Sequence, residues 1–207
     1  GSPDQFPVAP LLYGAGSAGA TPKNERVEID LTAARSDELR RLALAPGVRA
    51  LTPDLGLFQL LTTALMAFLH RVSGQTAITI GAPVHNRATA EFKRSACLFM
   101  EVYPLGVDVA PDDTFASLYA KVRSATGDFM RSAKPGWSTT DANRNINTVL
   151  NYITARFGPF DGLPVTPRWL HPDSVDAHHH LRLQVYDFIA SGELSLAFDC
   201  STDVFPQ

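Results

Sequence analysis

The feature that most constrains the fold is a long amphipathic segment followed at once by a short β-branched run. Thr52 supplies a capping hydroxyl and Pro53 suits the first helical position, so a helix should begin here and end at Ser73-Gly74. Its apolar residues recur at three- and four-residue spacing: Phe58, Leu61, Leu65, Phe68, Leu69 and Val72. The run from Ala77 to Val84 predicts a buried strand that breaks at Pro83.

The same alternation of strands and helices continues on both sides. A strand is predicted from Val27, and Ser36 is expected to cap the helix that follows it. Residues from Phe99 to Val109 are apolar on both faces, which predicts a central strand. Thr114 should cap a third long helix.

The last part of the chain adds three more strands. Residues 147–153 form one candidate strand, and two alternating runs around Ser191-Gly192 predict a hairpin. The hairpin's inward residues are Leu181, Leu183, Val185, Leu194, Leu196 and Phe198. The whole order predicts an α/β protein, a mixed β-sheet with amphipathic helices packed on it.

Composition limits the function. The formal net charge is −3 and the charges are dispersed, which argues against a nucleic-acid partner. The sequence contains no run of eighteen apolar residues, so we expect no membrane span and a cytoplasmic location. Residues 1–25 are rich in Gly, Ala, Pro and Ser behind a Gly1-Ser2 cloning scar and predict a flexible linker. Both ends suggest a piece cut from a longer protein.

Several stretches, taken together, resemble the condensation domains of nonribosomal peptide synthetases. Residues 58–87 resemble the family's helix, strand and G-x-P-V-x-x-R segment, here Gly81 to Arg87. Residues 97–105 are similar to the family's G-x-F-V-N-T-x-x-x-R strand, and residues 145–152 resemble a segment that ends in Asn-Tyr. The resemblance covers about residues 26–205, so residues 26–207 are identified as a C-terminal condensation subdomain.

The resemblance implies a pseudodimer of two halves similar to chloramphenicol acetyltransferase, with an active-site tunnel between them. The N-terminal half of such a domain supplies a His-His-x-x-x-Asp-Gly motif. The intact domain would join an acyl donor to an amine acceptor, both carried as phosphopantetheine thioesters, with no bound cofactor. The expected partners are the N-terminal subdomain, carrier domains and an adjacent adenylation domain. A half-domain face left exposed could also form a homodimer.

The catalytic motif is absent from this sequence. The cluster His178-His179-His180 does not replace it, because the Asp position falls on Leu183 or Gln184. We therefore expect no catalytic residue here and an inactive isolated fragment. Asp173 and Asp176 beside these histidines could bind a metal, but adjacent histidines on an extended segment point to opposite faces, so a loop is favoured over a metal site.

The candidate tunnel residues that follow from the resemblance are Glu101, Asn86, Arg87 and Asn151. Glu101 occupies the family's Asn position and could contact an amine or amide of the substrate. The slightly favoured alternative is structural: Glu101 pairs with Arg87 or Arg144, or lies at a strand edge open to water. Arg87 could hold a carboxylate or phosphate, although a structural role is favoured, and Asn151 could bond within the core.

Two other readings of the chain remain open. Substitutions in the family strand, with Val102 at the Thr position and Gly106 at the Arg position, would suit a degenerate, non-catalytic module that docks carrier or tailoring proteins. A related acyltransferase acting on a thioester or coenzyme A would differ in its acceptor. An intact catalytic motif upstream in the gene would separate catalysis from the degenerate module.

Overall fold

The computed structural model describes residues 23–87, 89–133, 146–170 and 179–205. These residues form six strands and four helices, listed here in chain order. They are β1 (Asn24–Asp30), α1 (Ala33–Ala43), α2 (Pro53–Ser73), β2 (Ala77–Val84), α3 (Ala90–Arg94), β3 (Glu101–Asp108), α4 (Phe115–Ser132), β4 (Thr148–Ile153), β5 (Leu181–Tyr186) and β6 (Ser195–Ser201).

The strands form one mixed sheet in the order β1-β6-β5-β4-β2-β3. Strand β4 runs parallel to β2 and β5, and the other neighbours are antiparallel. The core is built from apolar residues of α2, α4 and one face of the sheet, including Leu65, Leu69, Val122, Ile80, Leu150 and Val185. The predicted fold class, a mixed sheet with amphipathic helices packed on it, is confirmed.

Helix α2 begins and ends where local signals predict. The Thr52 hydroxyl accepts a hydrogen bond from the Leu55 N–H at 3.1 Å, and Pro53 is the first helical residue. Gly74 ends the helix in the left-handed conformation at φ 69°. Phe68 and Val72 were expected to face inward but are exposed.

By length and composition alone, this 21-residue helix could also cross a membrane. Half of its apolar window is nevertheless buried inside the protein, as in the core helix of a globular domain.

The predicted start of the first strand and the predicted cap of α1 are both wrong. Strand β1 begins at Asn24, three residues before the expected start, because β6 pairs along its whole length. Helix α1 is capped by Thr32, whose hydroxyl accepts from the Arg35 N–H at 3.4 Å. Ser36 instead lies fully buried inside the helix, where its hydroxyl accepts a 3.0 Å hydrogen bond from the Leu194 N–H.

Strand β3 is an edge strand, and the prediction of a central strand is wrong. In the described chain it pairs with β2 alone. Val102, on the side of β3 opposite Tyr103, lines a cavity. Pro104 within β3 is the local signal for an edge, because proline cannot donate to a ladder.

Strand β2 continues through Pro83, where a break was predicted. Pro83 pairs with Val102, and Pro104 pairs with Gly81. The two pairs are two residues apart along the ladder, so they are of the same hydrogen-bonding type. We infer that these are the non-hydrogen-bonded pairs of the ladder, in which no N–H is needed. The connection from β2 to β3 contains the short helix α3.

A substitution at Gly81 tests the packing between β2 and its neighbours. An added Cβ would lie 2.6 Å from Val102 Cγ1 and 2.7 Å from Ile146 Cγ2. We therefore expect Gly81→Ala to lower the free energy of unfolding in urea by about 1–3 kcal/mol. The control is Gly127→Ala in α4, where the nearest atom is the end of Arg131 at 3.4 Å, and we expect a gain of about 0.5–1 kcal/mol. Effects of the same sign would contradict this account.

Candidate functional site

The sheet face that points away from α2 and α4, here called the open face, carries polar side chains from four adjacent strands. Arg26 of β1 lies directly opposite Asp199 of β6, and Asp199 lies opposite Arg182 of β5. Asn151 of β4 lies opposite Gln184 of β5. Residues paired across two strands point to the same face of a sheet, and so do alternate residues along one strand. These five side chains therefore project from the same side.

These side chains form a hydrogen-bonded chain across the sheet. The Arg26 guanidinium donates to both carboxylate oxygens of Asp199, from Nε at 2.7 Å and from Nη2 at 3.0 Å. Gln184 Nε2 donates to Asp199 Oδ2 at 3.0 Å, and Asn151 Nδ2 lies 3.4 Å from Gln184 Oε1. The side chain of Asp199 is 1% exposed and that of Arg26 is 8% exposed. The hydrogen bond from Arg26 to Asp199 is the main reason why the pKa of Arg26 is raised.

His179 is bound to the same face through Arg182. The Arg182 guanidinium lies 3.0 Å (Nε) and 2.7 Å (Nη2) from His179 Nδ1. Arginine has no acceptor atom, so Nδ1 must be the acceptor and the proton of a neutral ring must lie on Nε2. This contact fixes the ring orientation of His179.

A cavity of about 310 Å³ opens above this polar surface. Its floor includes Asn151 and Gln184, and one wall is formed by Met100 and Val102 at the start of β3. Trp169 lines the other side, where its carbonyl accepts from Arg26 Nη1 at 2.9 Å. The cavity can therefore offer both apolar contact and amide hydrogen bonds to a ligand.

A second polar group lies at the start of β3, around the hydroxyl of Tyr103. Asn86 Nδ2 donates to this hydroxyl at 3.0 Å, and the Tyr103 hydroxyl lies 3.0 Å from Glu101 Oε2. Burial is the main cause that raises the pKa of Tyr103, so the phenol keeps its proton. That proton is donated to Glu101 Oε2, which is a shorter contact than the alternative acceptor, Asn86 Oδ1 at 3.3 Å.

Arg87 is used to hold a loop. Its guanidinium donates to the carbonyls of Ser95 at 2.8 Å and Cys97 at 2.6 Å, and also to that of Phe92. Its charge lies 4.9 Å from the centre of the Phe99 ring, in a cation–π contact. The geometry matches the structural alternative, in which Arg87 fastens the segment between β2 and β3.

A comparison with protein-family models identifies the family of this chain. The family model described as "Condensation domain" matches residues 5–139. The chain belongs to the condensation domain family. The sequence resemblance had predicted this family.

Curated relatives of this condensation domain are nonribosomal synthetases. The chain is 31% identical over 101 residues to surfactin synthase subunit 1 of Bacillus subtilis, which is 49% of this chain and 3% of that protein. It is 35% identical over 106 residues to phosphinothricin tripeptide synthetase PhsC of Streptomyces viridochromogenes, which is 51% of this chain and 9% of that protein. The chain thus spans a small fraction of these relatives.

Solved condensation domains have the same fold. The first condensation domain of the CDA synthetase superposes with a TM-score of 0.72 at 21% identity, covering 96% of this chain and 43% of that one. The starter condensation domain of rhizomide synthetase RzmA gives a TM-score of 0.71 at 19% identity, covering 97% and 44%. This chain spans less than half the length of either solved structure.

The structure separates the four predicted tunnel residues into two places. Glu101 and Asn86 meet at Tyr103, and Arg87 lies beside them. Residues alternate along β3, so Glu101 and Tyr103 share one side of the strand and the cavity-lining Val102 points to the other. Asn151 lies on the open face. Their role in a tunnel stays a prediction.

Some predicted residues lie outside the described chain. They are Arg144, Asp173, Asp176 and His178, together with residues 1–22 of the predicted linker. Among the residues that the structure does describe, no group of three His, Cys, Asp or Glu side chains could hold a metal ion. Sequence reasoning missed the Arg26–Asp199 pair, because only the β1–β6 register brings these residues together.

Removing one partner of the Arg26–Asp199 ion pair should strongly destabilise the folded chain. We expect Arg26→Met to lower the free energy of unfolding by about 3–5 kcal/mol, because it leaves the Asp199 carboxylate buried without its cation. The double variant Arg26→Met/Asp199→Leu should recover much of that loss. Arg131→Met, which breaks an exposed pair with Asp128, is the control and should cost less than about 1 kcal/mol. Equal losses for the two single variants in urea unfolding would contradict the assignment.

Proposed function

We propose that this chain is the C-terminal half of a condensation domain that forms an amide bond in nonribosomal peptide synthesis. The observation that carries the proposal is the match of 96–97% of this chain to 43–44% of solved condensation domains. The absence of a His-His-x-x-x-Asp-Gly motif from the 207 residues supports the same division. The complementary half would supply that motif and the proton transfer.

In the intact domain, this half would contribute the sheet, one wall of the tunnel and part of the carrier-docking surface. The donor and acceptor would arrive as phosphopantetheine thioesters on carrier domains, with an adenylation domain next in the same cytoplasmic assembly. Three of the described histidines of this half bond within the fold. Nδ1 of His70 bonds to the Gln75 carbonyl, and Nδ1 of His85 accepts from the Arg87 N–H. Nδ1 of His179 accepts from Arg182.

Glu101 is the residue of this half that we assign to the amine acceptor. It occupies the position that is Asn in the family strand, and it is half-buried at the start of an edge strand. The Tyr103 hydroxyl donates to its Oε2, which orients the carboxylate. A carboxylate held in this way can accept hydrogen bonds from an ammonium or amide group of the acceptor.

The isolated chain should not catalyse condensation. We expect no amide product above background when it is mixed with a donor and an acceptor loaded on separate carrier proteins, because the half that handles the proton is missing. Mass spectrometry of the released product measures this, and the intact parent domain is the positive control. Turnover by the 207-residue chain alone would refute the proposal.

The role of Glu101 can be tested in the intact parent domain. We expect Glu101→Gln to lower kcat/KM for the amine acceptor by about 10- to 100-fold, since a hydrogen bond to a charged group contributes about 1.5–3 kcal/mol. Glu193→Gln, which changes an exposed acid in the β5–β6 connection, is the matched control and should have no effect. If both variants keep the parent's kcat/KM, Glu101 does not contact the acceptor.

A degenerate docking module is the second candidate. It is favoured by the substituted family strand, in which Val102 stands at the Thr position and Gly106 at the Arg position. The intact domain separates the two candidates, because a docking module would bind loaded carrier proteins without producing an amide.

A further inference from the structure

The hydrogen-bonded chain on the open face fixes which way its two amide side chains point. The Asp199 carboxylate has only acceptor atoms, and Arg26 donates to both of its oxygens. Gln184 must therefore turn its Nε2 toward Asp199, to which it donates at 3.0 Å, since the opposite orientation would bring two oxygens together. The Oε1 of Gln184 then faces Asn151.

Gln184 in turn fixes the orientation of Asn151. Asn151 Nδ2 lies 3.4 Å from Gln184 Oε1, and a reversed Asn151 amide would place two carbonyl oxygens against each other. The Oδ1 of Asn151 therefore points away from Gln184, and no described residue donates a hydrogen bond to it. Asn151 lines the cavity of about 310 Å³ above the open face, here called the open-face cavity. The buried ion pair thus determines that Asn151 presents an acceptor atom to this cavity.

The walls around the Asn151 acceptor are apolar. Met100 and Val102 form one side of the open-face cavity, and Trp169 and Leu170 line the other. A ligand that fills the cavity displaces the water around Oδ1, and a desolvated acceptor without a donor costs free energy. The ligand must therefore supply a donor beside its apolar groups. In a thioester substrate of the proposed function that donor is a secondary amide N–H, and the isosteric ester lacks it.

We propose that Asn151 Oδ1 accepts a hydrogen bond from a secondary amide of the donor thioester, with Gln184 as the residue that positions this acceptor. The inference deepens the proposed function and rests on it. Glu101, which we assign to the amine acceptor, lies on the other side of β3, so the open-face cavity is left to the donor. A donor thioester can carry secondary amides in its acyl group and in its phosphopantetheine arm. Asn151 would discriminate the amide from an ester at the bound position.

Two isosteric probes test the acceptor in the 207-residue chain. N-isobutylacetamide and isobutyl acetate differ only in that the amide has an N–H where the ester has an oxygen, and NMR titration gives both Kd values. We expect the amide to bind about 3- to 10-fold more tightly, which is the effect of one hydrogen bond between neutral groups. Equal Kd values for the two probes would overturn the inference and leave the proposed function standing.

Two substitutions separate the acceptor from the residue that positions it. Asn151→Leu removes the acceptor and should make the two Kd values equal. Gln184→Leu keeps Asn151 but lets its amide turn, so the ester-to-amide ratio of Kd values should fall below about 2. A purely structural effect would weaken both probes alike and keep the ratio, which would contradict the positioning role of Gln184. Gln75→Leu, the same change outside the cavity, is the control and should alter neither Kd.

Soluble donor thioesters identify the bound amide in the intact parent domain, with the acceptor loaded on its carrier. One arm compares N-acetylvaline with 2-acetoxyisovalerate as the acyl group, and the other compares 2-acetamidoethanethiol with 2-acetoxyethanethiol as the thiol. We expect one of these exchanges to lower kcat/KM by about 3- to 10-fold in the parent but not in Asn151→Leu, and that exchange identifies the amide.

The same assay separates a failure of this inference from a failure of the proposed function. If neither exchange lowers kcat/KM while an amide product still forms, Asn151 does not contact a donor amide and the proposed function stands. A parent domain that forms no amide product with any of these donors would count against the proposed function, and the assignment of the cavity to the donor would fall with it.

Discussion

The structure depends on one constraint: a single sheet has its helix layer on one side only. The face toward α2 and α4 can be apolar throughout, and Ile80, Leu105 and Val185 are fully buried there. The other face cannot follow that pattern, because no described helix covers it. It carries polar side chains instead, and these satisfy one another across four strands. Polar side chains that could contact a ligand are therefore found on the open face and at the strand ends beside it.

The Arg26–Asp199 pair shows how this face tolerates a buried charge. Two charge-assisted hydrogen bonds and a third from Gln184 replace the water that the carboxylate loses on folding. The same guanidinium donates to the carbonyl of Trp169, so one side chain joins β1, β6 and the segment between β4 and β5. An ion pair of this kind contributes little net stability compared with a well-packed apolar pair, but it specifies which groups must meet. It therefore holds the Trp169 end of that segment against the sheet.

Local signals in the sequence were sufficient to predict the helices and strands and their order along the chain. They were insufficient to predict which strands lie next to one another in the sheet. Thr52-Pro53 and Gly74 define α2 because capping acts within a few residues. The hairpin of β5 and β6 was predicted for the same reason. Ser36 was misread because a hydroxyl can cap a helix or bond a distant backbone, and only the tertiary structure decides. The Arg26–Asp199 pair and the edge position of β3 depend on strand order, which local patterns do not encode.

Strand β3, at the edge of the sheet, contributes both to the open-face cavity and to the polar group around Tyr103. An edge strand that is apolar on both faces risks pairing with another chain, and Pro104 together with the acid at Glu101 reduces that risk. Glu101 is then tolerated because the strand starts at the rim, where Tyr103 can donate to it, and no second strand would bury it further. On the opposite side of the same strand, Val102 forms a wall of the cavity. The carboxylate and the cavity therefore lie on the two sides of one edge strand.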